Sequence, residues 1–215
     1  MNKIACLHAH YSNIEYIQKA VDASKVDLVH YVDPGLMGRM MSSTQFDRSQ
    51  ACEKVIEQIR WMTQPDVDAL LITCTNYIAL LDEDRLAAAI PIIKIDEPFF
   101  HHVCRINEPQ VILFTNPATV EGTMNRLYTY AAEQGLTLND IHPRVIDHTF
   151  ELIMQGKKEQ YKNEVASGIK TLLSNDERVK ISVAQLSMAD AAEIVEREMG
   201  VEIGNPLKTL AASFR

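Results

Sequence analysis

With 215 residues, 47% hydrophobic and 23% charged, the chain has the composition of a soluble globular protein long enough to bury a sizeable core. Its net charge of −8 supplies no cationic field for phosphate, and Lys157-Lys158 is answered at once by Glu159, which argues against a nucleic-acid partner. No apolar run reaches the ~20 residues of a membrane span, Met1–His8 lacks a signal-peptide pattern, and Cys6, Cys52, Cys74 and Cys104 have neither paired nor zinc-type spacing, so a reducing cytoplasmic setting without membrane contact is expected.

The first β-type run, Lys3–His8, ends in His8-Ala9-His10, and Ser12 stands as a cap before a helix over Asn13–Ser24. Two alternating histidines suit a metal, but no carboxylate or cysteine lies at helpful spacing, so no metal site is assigned. His8 is expected instead to orient substrate or transfer a proton. A second run, Val26–Val32, leads into Asp33–Thr44, whose Gly35 and Gly38 suggest a long loop or lid with Arg39 available to a carboxylate. A helix over Phe46–Thr63 precedes the apolar run Val67–Cys74.

That third run stops abruptly at Thr73-Cys74-Thr75-Asn76. Runs of this kind are strands buried on both faces of a parallel sheet, and such sheets place ligands beyond the carboxyl ends of their strands. The Cys74 thiol therefore emerges where α/β proteins do chemistry, although a buried structural cysteine at a strand end is the bland alternative. Thr75 and Asn76 are read as substrate-binding groups or as helix caps.

Asp82 caps a short acidic-headed helix, Pro91–Ile95 forms a strand, and His101-His102-Val103-Cys104 lies in a helix after Pro98. Adjacent histidines on a helix point ~100° apart and do not share one ion. Strands are then expected at Gln110–Thr115, Leu136–Ile141, Val179–Leu186 and Val201–Ile203, with a helix over Thr119–Gln134. Asn116-Pro117 and Asn205-Pro206 each place a cap before proline at the first helical position. Thr115, Asn116 and Gln185 are candidate ligand groups at strand ends.

The order strand, polar end, helix, short strand, X-X-Pro, helix occurs twice, once from Asp66 and once from Val179. Alternating strands and helices with this repeat predict an α/β fold of βαβ units with a mainly parallel sheet. Leu71-Ile72-Thr73-Cys74-Thr75-Asn76 resembles the first cysteine motif of the aspartate/glutamate/hydantoin racemase superfamily, and Val183-Ala184-Gln185-Leu186-Ser187-Met188-Ala189 resembles a variant second motif. The resemblance implies two pseudo-symmetric flavodoxin-like lobes with parallel sheets facing a central cleft, residues 1–97 plus 205–215 and residues 98–204. It further implies no cofactor, a small carboxylate substrate and a homodimer.

Racemising an amino acid removes a proton from one face of its α-carbon and returns one to the other, so two acid/base groups are needed. Cys74 supplies one. The second position holds Gln185, Leu186 or Ser187 where the family has a second cysteine, and Met188 where some members have histidine. Ser187 is the candidate second catalytic residue, with a helix cap as its other reading, and Ser12 stands in for the serine that members carry after the first strand. The leading expectation is a cofactor-independent amino-acid racemase or isomerase. Decarboxylation or cis–trans isomerisation of a small dicarboxylic acid, for which one thiol suffices, and non-catalytic binding of a small acid are the alternatives.

Overall fold

The computed structural model describes residues 3–21, 25–43, 45–86, 88–175 and 178–214. The chain divides into two compact units, Met1–Glu97 and Pro98–Arg215. The terminal segment 205–215, expected with the first lobe, falls in the second unit. There Lys208 pairs with Glu196, and the Glu196 carboxylate also accepts the Ile203 N–H.

In the first unit, strands β1 (Lys3–His8), β2 (Asp27–Val32), β3 (Ala69–Ile72) and β4 (Ile92–Lys94) form a parallel sheet in the order β2-β1-β3-β4. The helices are α1 (Asn13–Ala20), α2 (Gly35–Ser42), α3 (Arg48–Met62), α4 (Thr75–Ala79) and α5 (Glu83–Leu86), and α6 (Asp96–Cys104) begins at the unit boundary. Ile4, Ala5, Leu7, Leu70 and Ile72 are buried, as strands covered on both faces require. On α3 the buried residues Ala51, Val55, Ile56, Ile59 and Met62 recur at helical spacing. Its start is a capping box, with the Asp47 carboxylate accepting from Gln50 N at 2.8 Å and the Gln50 side chain accepting from Asp47 N at 3.0 Å.

The second unit holds β5 (Gln110–Phe114), β6 (Ile141–Val145) and β7 (Lys180–Val183) in the parallel order β6-β5-β7. A single parallel bridge between Ser182 and Gly204 stands beyond β7, where β4 stands in the first sheet. The two sheets therefore share one strand order, and β3 and β7, the two segments that repeat in the sequence, occupy equivalent places. The helices are α7 (Val120–Glu133), α8 (Thr149–Met154), α9 (Lys158–Asn175), α10 (Ala189–Met199) and α11 (Pro206–Ser213). Val111 and Leu113 pack with residues of α9 and α10, while Ile112 and Phe114 pack with residues of α6 and α7. That alternation is the period-two pattern of a strand covered by helices on both faces.

Several sequence expectations change. Leu136–Ile141 is not a strand: the strand is Ile141–Val145, an edge whose centre, His142-Pro143-Arg144, is exposed. Proline is tolerated there because an edge strand has a free side, and Leu136 and Leu138 pack on the core from the preceding connection. Val201–Ile203 forms no strand, and the chain touches the sheet only at Gly204. Asp33–Thr44 is chiefly helix α2 rather than a loop, because Asp33 Oδ1 accepts from the N–H groups of Gly35 and Leu36 at 2.8 and 3.2 Å. Arg39, expected to meet a carboxylate, lies over the Phe46 ring at 4.8 Å. Helix α1 ends at Ala20, and residues 22–24 and 44 lie outside the described residues.

Candidate active site

Cys74 follows the carboxyl end of β3 and is the N-cap residue of α4. It is half-buried. Burial pushes its thiol above the ordinary range; the backbone N–H groups of Tyr77 and Asn76 pull it down, and the nearby Asp96 charge pushes it up again. The resting group is therefore a thiol beside a buried carboxylate, able to give a proton and to take one once ionised. Thr75 and Asn76 occupy the first turn of α4, half-buried and exposed respectively. Asp96 carried no motif, yet it follows the end of β4, next to β3, and is buried. Its position directly after the expected strand Pro91–Ile95 was the signal that could have found it.

His8 takes a different place from the one expected. It is fully buried, with Nδ1 2.8 Å from Thr73 Oγ1 and Nε2 2.9 Å from His30 Nδ1. Thr73 Oγ1 donates to Leu7 O at 3.2 Å and accepts from Asn13 Nδ2 at 3.3 Å. With the threonine proton committed, His8 Nδ1 must be the donor to Thr73, and His8 Nε2 accepts from His30. Both nitrogens are occupied, so His8 offers none to a substrate. Burial and the neighbouring His30 hold its pKa down to about 4.

Cys6 joins this pair, since β1–β2 register sets it opposite His30, and ligand-type atoms of Cys6, His8 and His30 lie within 4.8 Å of one another. The close approach of the two rings is accounted for by the proton they share, and burial drives the Cys6 thiol up to about 12. His10 and Ser12 bond to each other instead, Nδ1 to Oγ at 2.8 Å, and the Ser12 hydroxyl does not cap α1.

In the second unit the expected residues converge after β5 and β7. Gln185 Oε1 accepts from Thr115 N at 2.7 Å, Asn116 N at 3.2 Å and Thr115 Oγ1 at 2.9 Å. The Asn116 side chain caps the turn at Pro117–Thr119 through Ala118 N. Ser187 is no helix cap: its Oγ lies 2.7 Å from the Tyr161 phenol, which lies 3.2 Å from Thr115 Oγ1. Met188, not Ser187, precedes α10. Tyr161 carried no sequence signal, because it reads as an ordinary buried face residue of α9.

A cavity of about 620 Å³ beside β2 and α3 is lined by Leu7, Tyr31, Val32, Gln58 and Trp61 among others. Its Asp33 and Gln58 side chains bond to each other.

Two parallel sheets of one strand order, with a thiol after β3 and a hydroxyl cluster after β7, define a two-sheet α/β protein with polar groups at its strand ends. The chain belongs to the Asp/Glu/hydantoin racemase family, whose profile matches residues 8–213. Similar solved structures include allantoin racemase from Klebsiella pneumoniae, at 19% identity and TM-score 0.69 over 99% of this chain and 86% of that one. Picrophilus torridus aspartate racemase aligns at 11% identity and TM-score 0.67 over 99% and 92%. A glycine-to-cysteine mutant of arylmalonate decarboxylase aligns at 14% identity and TM-score 0.61 over 99% and 94%. No curated protein matches the sequence. Among the described residues no helix is long and apolar enough to cross a membrane.

Proposed function

We propose that this chain moves a proton at the α-carbon of a small carboxylate without a cofactor, as a racemase or isomerase of an amino acid or derivative, with Cys74 as its acid/base. The observation that carries this reading is the Cys74 thiol at a strand's carboxyl end, met by N–H groups of Asn76 and Tyr77 and by the Asp96 charge. Ionised, Sγ takes the α-proton; the C–H electron pair passes toward the carboxylate, and reprotonation of the opposite face gives the enantiomer. Ser187 is the candidate on the second side, and His8 is withdrawn because both its nitrogens are engaged.

The test is solvent-deuterium incorporation at the α-carbon across a panel of amino acids and ureides. Cys74→Ala should abolish it, and wild-type exchange rates in that variant would refute the assignment. Ser187→Cys should raise racemisation if only a second thiol is lacking. A second reading, decarboxylation of a malonate-like acid, is favoured by the single thiol and by the likeness to arylmalonate decarboxylase. It requires carbon dioxide release from phenylmalonate with no enantiomer interconversion.

A further inference from the structure

Residues two apart on a strand share a face, and partners in a parallel register point to the same side. Cys6 and His8 on β1 are such a pair, and His30 on β2 stands beside Cys6. The strands therefore gather one thiol and two imidazoles on one face of the first sheet, with ligand-type atoms within 4.8 Å of one another. His10, the neighbour that the sequence offered to His8, turns to Ser12 instead, and the third group comes from the adjacent strand. Cys6 and His8 are each 0% exposed, whereas half-buried His30 leaves a way in from solvent.

The two rings are prepared as ligands. His8 Nδ1 donates to Thr73 Oγ1 at 2.8 Å, which fixes its tautomer and leaves the Nε2 lone pair toward His30. Metal-binding histidines are oriented in this way, by an oxygen that holds the other ring nitrogen. The His30 tautomer is not fixed from its far side: Nε2 is buried and hydrogen-bonds to none of the described residues. The proton on Nδ1 can therefore move there and free a second lone pair. Two imidazole nitrogens on one ion stand about 3.3–3.6 Å apart at metal–nitrogen lengths of about 2.0–2.1 Å. The rings, now 2.9 Å apart, need to part by only roughly half an ångström.

We infer that Cys6, His8 and His30 form a structural site for a soft monovalent cation, copper(I), which joins β1 to β2 in place of the proton the two rings share. Thiolate and imidazole donors suit that ion. Charge selects it further. One thiolate with copper(I) makes a neutral group, at home on a face where buried Ile4 and Leu71 flank Cys6. Zinc(II) would bury a net positive charge there. Zinc also takes four ligands in structural sites, and this cluster holds three among the described residues. On binding, the Cys6 S–H bond breaks, Sγ bonds the ion and the thiol proton leaves to solvent. The His30 proton passes from Nδ1 to Nε2, and no electron moves. None of the three residues belongs to the proposed acid/base machinery, so the site stands apart from it.

The experiment titrates the full chain with copper(I), without oxygen and against a chromophoric chelator. Wild type should bind one ion per chain, and more tightly than it binds zinc(II). Cys6→Ala and His30→Gln, with the fold retained by circular dichroism, should each weaken binding about 100-fold or more. Thr73→Val removes the oxygen that orients His8 and should cost about tenfold. Cys74→Ser should keep the wild-type affinity, since that thiol lies outside the cluster. X-ray absorption at the copper edge of the wild-type complex should show one sulfur and two imidazole nitrogens, a readout that needs no variant to fold. Absence of copper(I) binding, zinc(II) bound as tightly, or a shell of sulfur alone overturns the inference. So does an affinity that Cys6→Ala and His30→Gln leave unmoved, or one that Cys74→Ser lowers as much as they do.

Discussion

Acid should weaken the first unit through His8, by an amount that follows from its surroundings. In the folded chain the ring is neutral, donating from Nδ1 to Thr73 and accepting at Nε2 from His30. Protonation would set two N–H groups against each other in a buried site. Burial first, and the His30 charge second, hold the pKa down to about 4, against about 6.5 in an unfolded chain. Between those values the unfolded state binds a proton that the folded state refuses, so stability is intact above about 6.5 and falls as pH drops toward about 4. At about 1.4 kcal/mol per pH unit, the loss across the window is about 3 kcal/mol, a large part of a domain's usual 5–15 kcal/mol. His30, lowered by its own burial, acts with the same sign. Urea midpoints at steps from pH 7 to 4.5 should fall more steeply for wild type than for His8→Asn, whose amide retains a donor for Thr73. Equal slopes, or a His8 ring titrating near 6.5 by NMR, would refute the reasoning.

Three further outcomes are expected. If the Cys74 thiolate is the base, α-carbon exchange at saturating substrate should climb with pH beyond the ordinary cysteine range, since burial and Asp96 raise the thiol; a plateau reached below pH 7 would contradict that environment. Gly204→Ala puts a Cβ 2.5 Å from Ser182 Oγ and 2.8 Å from His102 Nε2, and should cost about 1–3 kcal/mol, seen as a Tm several degrees lower; Ser182→Ala in the same chain should restore part of it. Asp47→Ala removes the capping box of α3 and should cost about 1 kcal/mol by urea titration, with Asp47→Asn losing less.

Much of the architecture was legible before any coordinates, because it depends on neighbours along the chain. The apolar runs Lys3–His8, Val67–Cys74 and Gln110–Thr115 hold the strands Lys3–His8, Ala69–Ile72 and Gln110–Phe114, and the caps at Asp82, Asn116 and Asn205 each hold the N–H expected of them. The repeat from Asp66 and Val179 corresponds to β3 and β7 at the same rank of two sheets. Local signals failed where packing overruled them. Leu136-Thr137-Leu138 reads as a strand by composition, but the sheet edge is built by Ile141–Val145, and two glycines did not keep residues 35–42 from forming a helix once Asp33 capped it.

The sequence alone determined that a thiol would stand at the end of a buried parallel strand, since an apolar run and its polar stop encode strand and edge together. It also determined that the matching place in the repeat holds Gln185-Leu186-Ser187 rather than cysteine. Which groups surround those residues was decided only in three dimensions. His30 meets His8 through the register of β1 and β2, Asp96 nears Cys74 because β4 lies beside β3, and Tyr161 reaches Ser187 from a helix 26 residues earlier in the chain. Such pairings leave no spacing to read, because strand register and helix packing bring together residues whose separation in sequence is arbitrary.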